Sequence, residues 1–183
     1  VINGVVGGWV DSSPMIVISG QTNLSFVEYQ EKTGIRQHGV QGINIKPLVE
    51  KAVKYFVTVE DPNNILYYLE KAFYLATSGR PGPVWIDVPM DMQRAEVQEK
   101  FLKSFSDSEK EEIFQDIKKE IITESARLLL NAKRPILLVG QGVRLDDVEK
   151  EFKDFIEMLN IPVLTSRLGI DLINSGHKLY VGR

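Results

Sequence analysis

The stretch SGRPGPVWIDVP, residues 78–89, decides the fold that this sequence predicts. A glycine after the last helical turn tolerates the left-handed backbone that ends a helix, so Gly79 predicts a helix end. Pro81 and Pro83 then exclude helix and favour extended geometry in the residues before them. The apolar run VWIDV, in which Asp87 is the only charge, is typical of a parallel strand that helices cover on both faces.

Helices and buried strands alternate on both sides of this stretch. Residues 61–77 carry a capping aspartate, an early proline and one apolar stripe, which predicts the helix that leads into it. Short apolar runs at residues 15–19, 55–59 and 161–166 predict further strands, and residues 136–144 predict a strand, a glycine turn and a helix start. This alternation predicts an α/β fold with two parallel-sheet domains and flanking helices, both incomplete in this chain.

Composition divides the chain into three segments. Residues 1–92 hold the first set of elements, whereas residues 93–112 are polar and charged, which predicts an interdomain linker on the surface. Residues 113–183 form the second domain, which opens with a helical periodicity over residues 113–132. Within the first domain, residues 22–38 are polar and weakly periodic, so we expect a loop with short helical turns.

The composition excludes several classes of function. With 25 Asp and Glu against 22 Lys and Arg, the net charge is −3, so no basic field is available to attract a nucleic acid. The chain has no cysteine and two histidines, which excludes disulfides and makes a zinc site unexpected. No apolar run approaches the roughly 20 residues of a membrane span, and no signal-peptide pattern is present. We expect a cytoplasmic protein without nucleic-acid or membrane partners and without metal ligands of its own.

Several phrases of the sequence occur in the same order in one enzyme family. Residues 11–21, which end in PMIVISGQ, together with RQHGVQ (36–41) and GRPGPVWIDVPMD (79–91), resemble the pyrimidine-binding domain of thiamine-diphosphate enzymes, most of all the acetolactate synthase group. RPILLVGQGVR and IPVLTSRLGIDLI resemble the start of the central domain of the same enzymes. The resemblance implies that residues 1–92 are the C-terminal part of the pyrimidine-binding domain and residues 113–183 the N-terminal part of the central domain.

The resemblance also implies an activity and its cofactors. It implies a decarboxylase or carboligase that acts on a 2-keto acid such as pyruvate, with thiamine diphosphate as electron sink, held together with Mg²⁺. Several members bind FAD or ADP in the central domain, and a homodimer or homotetramer is implied for the full-length protein. Met90 stands where acetolactate synthases usually have lysine, which indicates a related enzyme of other specificity. Arg167 stands where many flavin-binding members have an apolar residue.

Site residues follow from the same resemblance. Gln41 matches the glutamine that faces the thiamine pocket, with Gly39 and Val40 beside it, and its amide suits a developing oxyanion because it donates without titrating. The residues that match flavin contacts of relatives are Arg80, Gly140, Gln141, Gly142, Ser166, Arg167 and Leu168. From the residues alone, Gln41 is equally well an exposed loop amide, and Arg80 a structural tie to a nearby helix end or carboxylate. Lys54, between a helix and a strand, is interpreted as structural.

Two other functions stay open at this point. The GQG turn at residues 140–142 lacks the third glycine of a dinucleotide fingerprint, so a standard NAD site is not expected. A stand-alone regulatory domain that binds FAD or ADP and a non-catalytic interaction module are the alternatives. Neither the motif of the glutamate that activates thiamine diphosphate nor a GDG segment occurs in the sequence. We therefore expect these 183 residues to be a fragment of the enzyme that is inactive by itself.

Overall fold

The computed structural model describes residues 1–113 and 118–183. The chain divides into two compact units, Val1–Phe114 and Gln115–Arg183. Within the described residues, each unit is built on a three-stranded sheet in which every strand pairing is parallel. Helices accompany both sheets, so the predicted α/β class with two parallel sheets is confirmed.

The first sheet has the quoted stretch at its centre. Its strands are β1 (Met15–Gln21), β2 (Tyr55–Thr58) and β3 (Pro83–Pro89), in the order β1–β3–β2. β3 is buried along almost its whole length, as expected for a strand that is covered on both faces. The turn before it also follows the prediction, since Gly79 has a φ of 57°.

Helices cover the two faces of this sheet. The described part of the first unit contains α1 (Ile2–Val10), α2 (Leu24–Thr33), α3 (Lys46–Val49), α4 (Ile65–Thr77), α5 (Met90–Arg94) and α6 (Asp107–Ile113). On one face, α4 packs on the sheet through its small residues Ala72 and Ala76, both buried. On the other face, Val5 of α1 and Val49 of α3 cluster with Trp85 of β3.

Helix α2 corrects the expectation of a loop over residues 22–38. It is one helix of ten residues without a buried residue, which explains why the sequence shows little periodicity there. Contacts at its two ends fix the helix instead. The carboxylate of Asp91 accepts a hydrogen bond from the backbone N–H of Leu24 (3.2 Å), and Gly34, with a φ of 69°, ends the helix in the left-handed conformation.

The segment predicted as a surface linker packs against α4. Phe105 is 5% exposed, and its ring lies 5.7 Å from that of Tyr67 and 5.6 Å from that of Tyr74. Glu70 of α4 accepts hydrogen bonds from the backbone N–H of Phe105 (2.7 Å) and the hydroxyl of Ser104 (2.6 Å). One aromatic side chain therefore anchors this otherwise polar segment to the first unit.

The second unit is organised around β4 (Leu137–Val139), β5 (Val163–Thr165) and β6 (Tyr180–Gly182), in the order β4–β5–β6. Its described helices are α7 (Lys119–Asn131), α8 (Gly142–Leu145) and α9 (Glu149–Leu159). A core of six buried apolar residues, from β4, β5, α9 and the segment between β5 and β6, lies in this unit: Val139, Ile156, Val163, Leu172, Ile173 and Leu179.

The helix predicted over residues 113–132 is wrong at its start. Helix α7 begins at Lys119, because Lys118 before it has an extended backbone with a ψ of 134°, and Ile113 belongs to the end of α6. Residues 114–117, on which part of this prediction falls, lie outside the described residues. Within the two described ranges, no helix combines the length and the apolar character that crossing a bilayer requires.

Candidate functional site

Polar side chains gather at the carboxyl end of the first sheet. β1 and β3 are in parallel register, which places Ser19 opposite Asp87 and brings both strand ends to the same edge. In open α/β sheets this edge is where ligands bind. Asp87 is 3% exposed, so the carboxylate is buried beneath that edge.

Asp87 belongs to a connected set of hydrogen bonds. The Ser19 hydroxyl donates to Oδ1 of Asp87 (2.6 Å) and accepts from the indole N–H of Trp85 (2.7 Å). The side-chain amide of Gln21 donates to Oδ2 of Asp87 (3.4 Å) and to the backbone carbonyl of Ile43 (2.6 Å). Burial raises the pKa of the Asp87 carboxyl group, and the hydrogen bonds from Ser19 and Gln21 act in the opposite direction.

Gln41 lies in the loop between α2 and α3. Its φ of 58° is in the left-handed region, which is uncommon for a residue other than glycine and costs about 1–3 kcal/mol. Gly39 has a φ of 79°, and a Cβ there would lie 2.5 Å from the Thr22 hydroxyl, so the loop packs tightly against the residue that follows β1. Gln41 itself and Val40, which is 84% exposed, face solvent.

The exposed and the buried polar groups at this edge of the sheet differ in what they can contact. The exposed amide of Gln41 is free to donate to, or accept from, a ligand above the sheet. Asp87 is too deeply buried to reach a ligand, so its carboxylate orients its neighbours. The sequence placed Gln21 at the carboxyl end of a strand but gave no role to Ser19 or Asp87, although a single charge inside the buried run VWIDV is a signal that such a role exists.

Arg80 lies at the opposite end of the same sheet. It precedes the amino end of β3, whose seven residues span roughly 20 Å. Its Nε donates to the hydroxyl of Ser12 (2.7 Å), a buried residue just after α1. The structure therefore does not bring Arg80 and Gln41 together. A structural tie is observed for Arg80, but its partner is a hydroxyl group.

Lys54 is structural, as predicted. Its amine donates to the carbonyl oxygens of Leu75 and Ser78 at the C-terminal end of α4, the second of them at 2.7 Å. A cation at this end of a helix also interacts favourably with the helix dipole. Burial lowers the pKa of the Lys54 amine.

In the second unit, the structure brings the six remaining predicted residues together. They are Gly140, Gln141 and Gly142, at the turn between β4 and α8, and Ser166, Arg167 and Leu168, which follow β5. A Cβ on Gly140 would lie 3.2 Å from the Ser166 hydroxyl, and the backbone N–H of Ser166 donates to the carbonyl of Val139 (2.8 Å). The turn and the segment after β5 thus meet at the carboxyl end of the second sheet.

Arg144 contacts the segment after β5 and holds it in place. The sequence did not indicate this role. The guanidinium of Arg144 donates to the carbonyl of Leu168 (3.2 Å) and to the carboxylate of Asp171 (2.7 Å). Packing also explains a neighbouring glycine, because a Cβ on Gly169 would lie 3.0 Å from the carbonyl oxygen of Val139. The protein's own contacts therefore account for Gly140 and Gly169, whereas a Cβ on Gly142 would meet no atom within 4 Å.

Residues 122–183 match the family model described as thiamine pyrophosphate enzyme, central domain, and lie in the segment for which the sequence predicts such a domain. The chain is 33% identical, over 96% of its length, to the acetolactate synthase large subunit of Buchnera aphidicola subsp. Schizaphis graminum, of which it covers 30%.

Two further relatives give the same picture. The chain is 31% identical to the probable acetolactate synthase large subunit of Methanococcus aeolicus, over 99% of the chain and 29% of the relative. It is 29% identical to the acetolactate synthase isozyme 3 large subunit of Escherichia coli K12, over 99% of the chain and 30% of the relative. The chain thus spans about 30% of the length of the curated relatives that it matches.

Proposed function

Because the chain resembles acetolactate-synthase-like thiamine-diphosphate enzymes over nearly its whole length, as its sequence predicts, we propose that it is part of such an enzyme. The proposed activity is decarboxylation of a 2-keto acid such as pyruvate, or its carboligation. The proposed cofactors are thiamine diphosphate and Mg²⁺, and the proposed assembly is a homodimer or homotetramer. Since the chain spans about 30% of its relatives, we propose that these residues alone are inactive.

The placement of Gln41 carries this proposal. Its exposed amide stands on a strained, tightly packed loop at the ligand-binding edge of a parallel sheet. Strain of this kind at an exposed polar residue is typical of functional sites.

Gln41 has one role in the proposed reaction. Thiamine diphosphate, when bound, would supply the electron sink that accepts the electron pair released on decarboxylation of a 2-keto acid. The Gln41 amide then orients the substrate and donates a hydrogen bond to oxygen atoms that gain negative charge. Asp87, which is 3% exposed, transfers no proton to the substrate; it acts only on the arrangement of its neighbours.

No residue of the described chain is assigned to Mg²⁺. Within residues 1–113 and 118–183, no group of three or more His, Asp or Glu side chains is placed to hold a metal ion. In the proposal, Mg²⁺ is therefore bound by other parts of the enzyme. Gln41 is the residue of this chain that is proposed to face the thiamine cofactor.

For the second unit we propose a site for FAD or ADP. The proposal is supported by the position of the glycine turn at residues 140–142 and of the segment 166–168, which meet at the carboxyl end of β4 and β5, the edge of a parallel sheet where ligands bind. Titration calorimetry of the chain with FAD and with ADP tests this site. Replacement of Arg167 by leucine should favour FAD, and binding of neither nucleotide would contradict the proposal. A cofactor role for Arg80 stays a prediction.

Turnover tests the proposed activity. The 183-residue chain with thiamine diphosphate, Mg²⁺ and pyruvate should form neither carbon dioxide nor acetolactate, and measurable product would contradict its inactivity. In the enzyme that contains the chain, Gln41→Glu keeps the side-chain shape but removes the donors, and turnover should fall about 10²-fold. Gln98→Glu makes the same change at an exposed position outside the loop and should leave turnover unchanged.

The relatives do not support the two alternative functions considered from the sequence. Those described above are acetolactate synthase large subunits, and the similarity covers both units of the chain. A stand-alone nucleotide-binding regulator and a non-catalytic interaction module would both leave the Gln41 loop without a purpose.

A further inference from the structure

The Gln21 side chain is held by hydrogen bonds on both of its polar atoms. Its Oε1 accepts from the backbone N–H of Thr22 (2.9 Å), which fixes the direction of the amide. Its Nε2 donates to the backbone carbonyl of Ile43 at 2.6 Å, a short and direct bond to the loop that carries Gln41. The second hydrogen of Nε2 points to Oδ2 of Asp87 at 3.4 Å.

Thr22, the next residue, packs against the same loop. A Cβ on Gly39 would lie 2.5 Å from the Thr22 hydroxyl, and one on Gly42 would lie 3.0 Å from the Thr22 methyl group. The loop is therefore in contact with the end of β1 on both sides of Gln41, at Gly39 and at Gly42, and is hydrogen-bonded to it at Ile43.

We propose that Gln21 is a positioning residue: its amide, oriented by the buried carboxylate of Asp87, holds the Ile43 carbonyl and thereby sets the backbone of Gln41. The inference rests on the proposed function of Gln41, which it deepens. Gln21 is a donor that acts through the loop, whereas Gln41 is the group proposed to touch the substrate.

Asp87 makes the direction of the amide unambiguous. A carboxylate accepts hydrogen bonds and donates none, so the NH₂ group of Gln21, and not its oxygen, must face it. The hydroxyl of Ser19 occupies Oδ1, which leaves Oδ2 for Gln21. With its NH₂ group fixed on the side of Asp87, Gln21 presents a donor to Ile43, whose carbonyl requires one.

Backbone NMR relaxation of the full 183-residue chain, without thiamine diphosphate, tests this positioning. Gln21→Met keeps the length of the side chain and removes all of its hydrogen bonds. The amide order parameters of residues 40–43 should be close to about 0.85 in the wild type and fall below about 0.6 in the variant. Amides of α4 should be unchanged.

A matched control distinguishes the Ile43 bond from a general effect at this edge. Gln93 also donates its amide to a carbonyl at the carboxyl end of the sheet, but that carbonyl belongs to Val88 of β3 (2.7 Å) and not to the Gln41 loop. Gln93→Met should leave the order parameters of residues 40–43 at the wild-type level. Equal loosening in both variants, or none in Gln21→Met, would overturn the proposal.

Gln21→Glu should make the rigidity of the loop depend on pH, which would not happen if the side chain only filled space. A protonated carboxyl group can donate to the Ile43 carbonyl, whereas an ionised one cannot. The introduced group faces Asp87, and Asp91 contacts the backbone of the same segment at Leu24, so proximity to negative charge favours its protonated form. The loop should regain rigidity as the pH falls through the pKa of this group, and Gln21→Met should not. The pH dependence of Gln21→Glu by itself, measured against the wild type, decides the matter if Gln21→Met proves unfolded, and loop rigidity that does not change with pH in Gln21→Glu would contradict the positioning role.

Turnover separates failure of this inference from failure of the proposed function. In the enzyme that contains the chain, Gln21→Met should change the same parameter, kcat or KM, as Gln41→Glu does. If the loop loosens but Gln41→Glu leaves turnover intact, the proposed role of Gln41 is wrong and the positioning contact stands. If Gln41→Glu abolishes turnover while the loop of Gln21→Met stays rigid, the positioning role is wrong.

Discussion

Replacement of Asp87 by asparagine removes a carboxylate from the buried end of β3 and keeps the shape of the side chain. Asp87 is 3% exposed, and burial raises the pKa of its carboxyl group above the ordinary value of 3.8. The hydrogen bonds from Ser19 and Gln21 lower the pKa but do not cancel the effect of burial. The folded chain therefore binds this proton more tightly than the unfolded chain does.

The sign of the pH dependence follows from this difference. From about pH 3.8 up to the raised pKa, the folded state carries more protons than the unfolded state, so the free energy of unfolding falls as the pH rises. One such group can impose a slope of at most about 1.4 kcal/mol per pH unit. Asp87→Asn has no proton to lose. The unfolding free energy of the wild type minus that of the variant should therefore decrease over this window and level off above it.

Urea unfolding between about pH 4 and pH 8, followed by tryptophan fluorescence, measures this difference. Trp9 and Trp85 both lie in the first unit, so the signal follows the unit that contains Asp87. Glu70→Gln is the control, because hydrogen bonds from Ser104 and Phe105 lower the pKa of Glu70 and its pH dependence has the opposite sign. A difference for Asp87→Asn that is constant, or that rises with pH as for Glu70→Gln, would refute the reasoning.

Three further substitutions have expected effects that the same urea titration measures. Lys54→Met removes the amine that binds two carbonyls at the end of α4 and should lower the free energy of unfolding by about 1.5–3 kcal/mol. Lys51→Met, at an exposed side chain, should lower it by less than about 0.5 kcal/mol, and equal effects would contradict the capping role. Phe105→Ala should cost about 2–3 kcal/mol, because the segment loses the buried ring that anchors it to α4, and an unchanged urea midpoint would show that the ring contributes nothing. Gly39→Ala, whose Cβ would lie 2.5 Å from a threonine hydroxyl, should lower the free energy of unfolding more than Gly34→Ala does. Gly34 has a similar positive φ but open space around it, so its replacement should cost only about 1–2 kcal/mol. The reverse order would contradict tight packing of the Gln41 loop.

Local sequence signals predicted the elements that depend on local physics. The helix end at Gly79, the extended turn with Pro81 and Pro83, and the buried strand all follow from the conformational limits of single residues. Helix α4 was predictable because it has a capping aspartate, an early proline and an apolar stripe, of which Ala72 and Ala76 are buried. Helix α2 was not, because it buries no residue and depends on Asp91, far away in the sequence, and on Gly34 at its end.

The candidate site was predictable only in part. Resemblance pointed to Gln41, but its left-handed backbone has no signal in the sequence, since glutamine does not favour that conformation. The contacts of Asp87 with Ser19 and Gln21 join residues 68 and 66 positions apart, and they depend on the register of β1 with β3. A period-two pattern shows which residues share a face of a sheet, but it does not fix which strands are neighbours. The anchoring of Phe105 on α4 is nonlocal for the same reason.

The strained backbone of Gln41 and the buried carboxyl group of Asp87 both lower the stability of the carboxyl end of the first sheet, and the Gln21 side chain connects them. The left-handed backbone of Gln41 is strained, and burial disfavours the ionised form of Asp87. The Gln21 amide contacts the Asp87 carboxylate and the carbonyl of Ile43, two residues after Gln41. The core on either side of β3 is closed by α1, α3 and α4 without any of these polar groups. Ser19 connects the same network to the core, because it accepts from the indole of Trp85. In the proposal, the end of the network at Ile43 fixes the backbone of Gln41, which is the effect that a residue facing a cofactor needs.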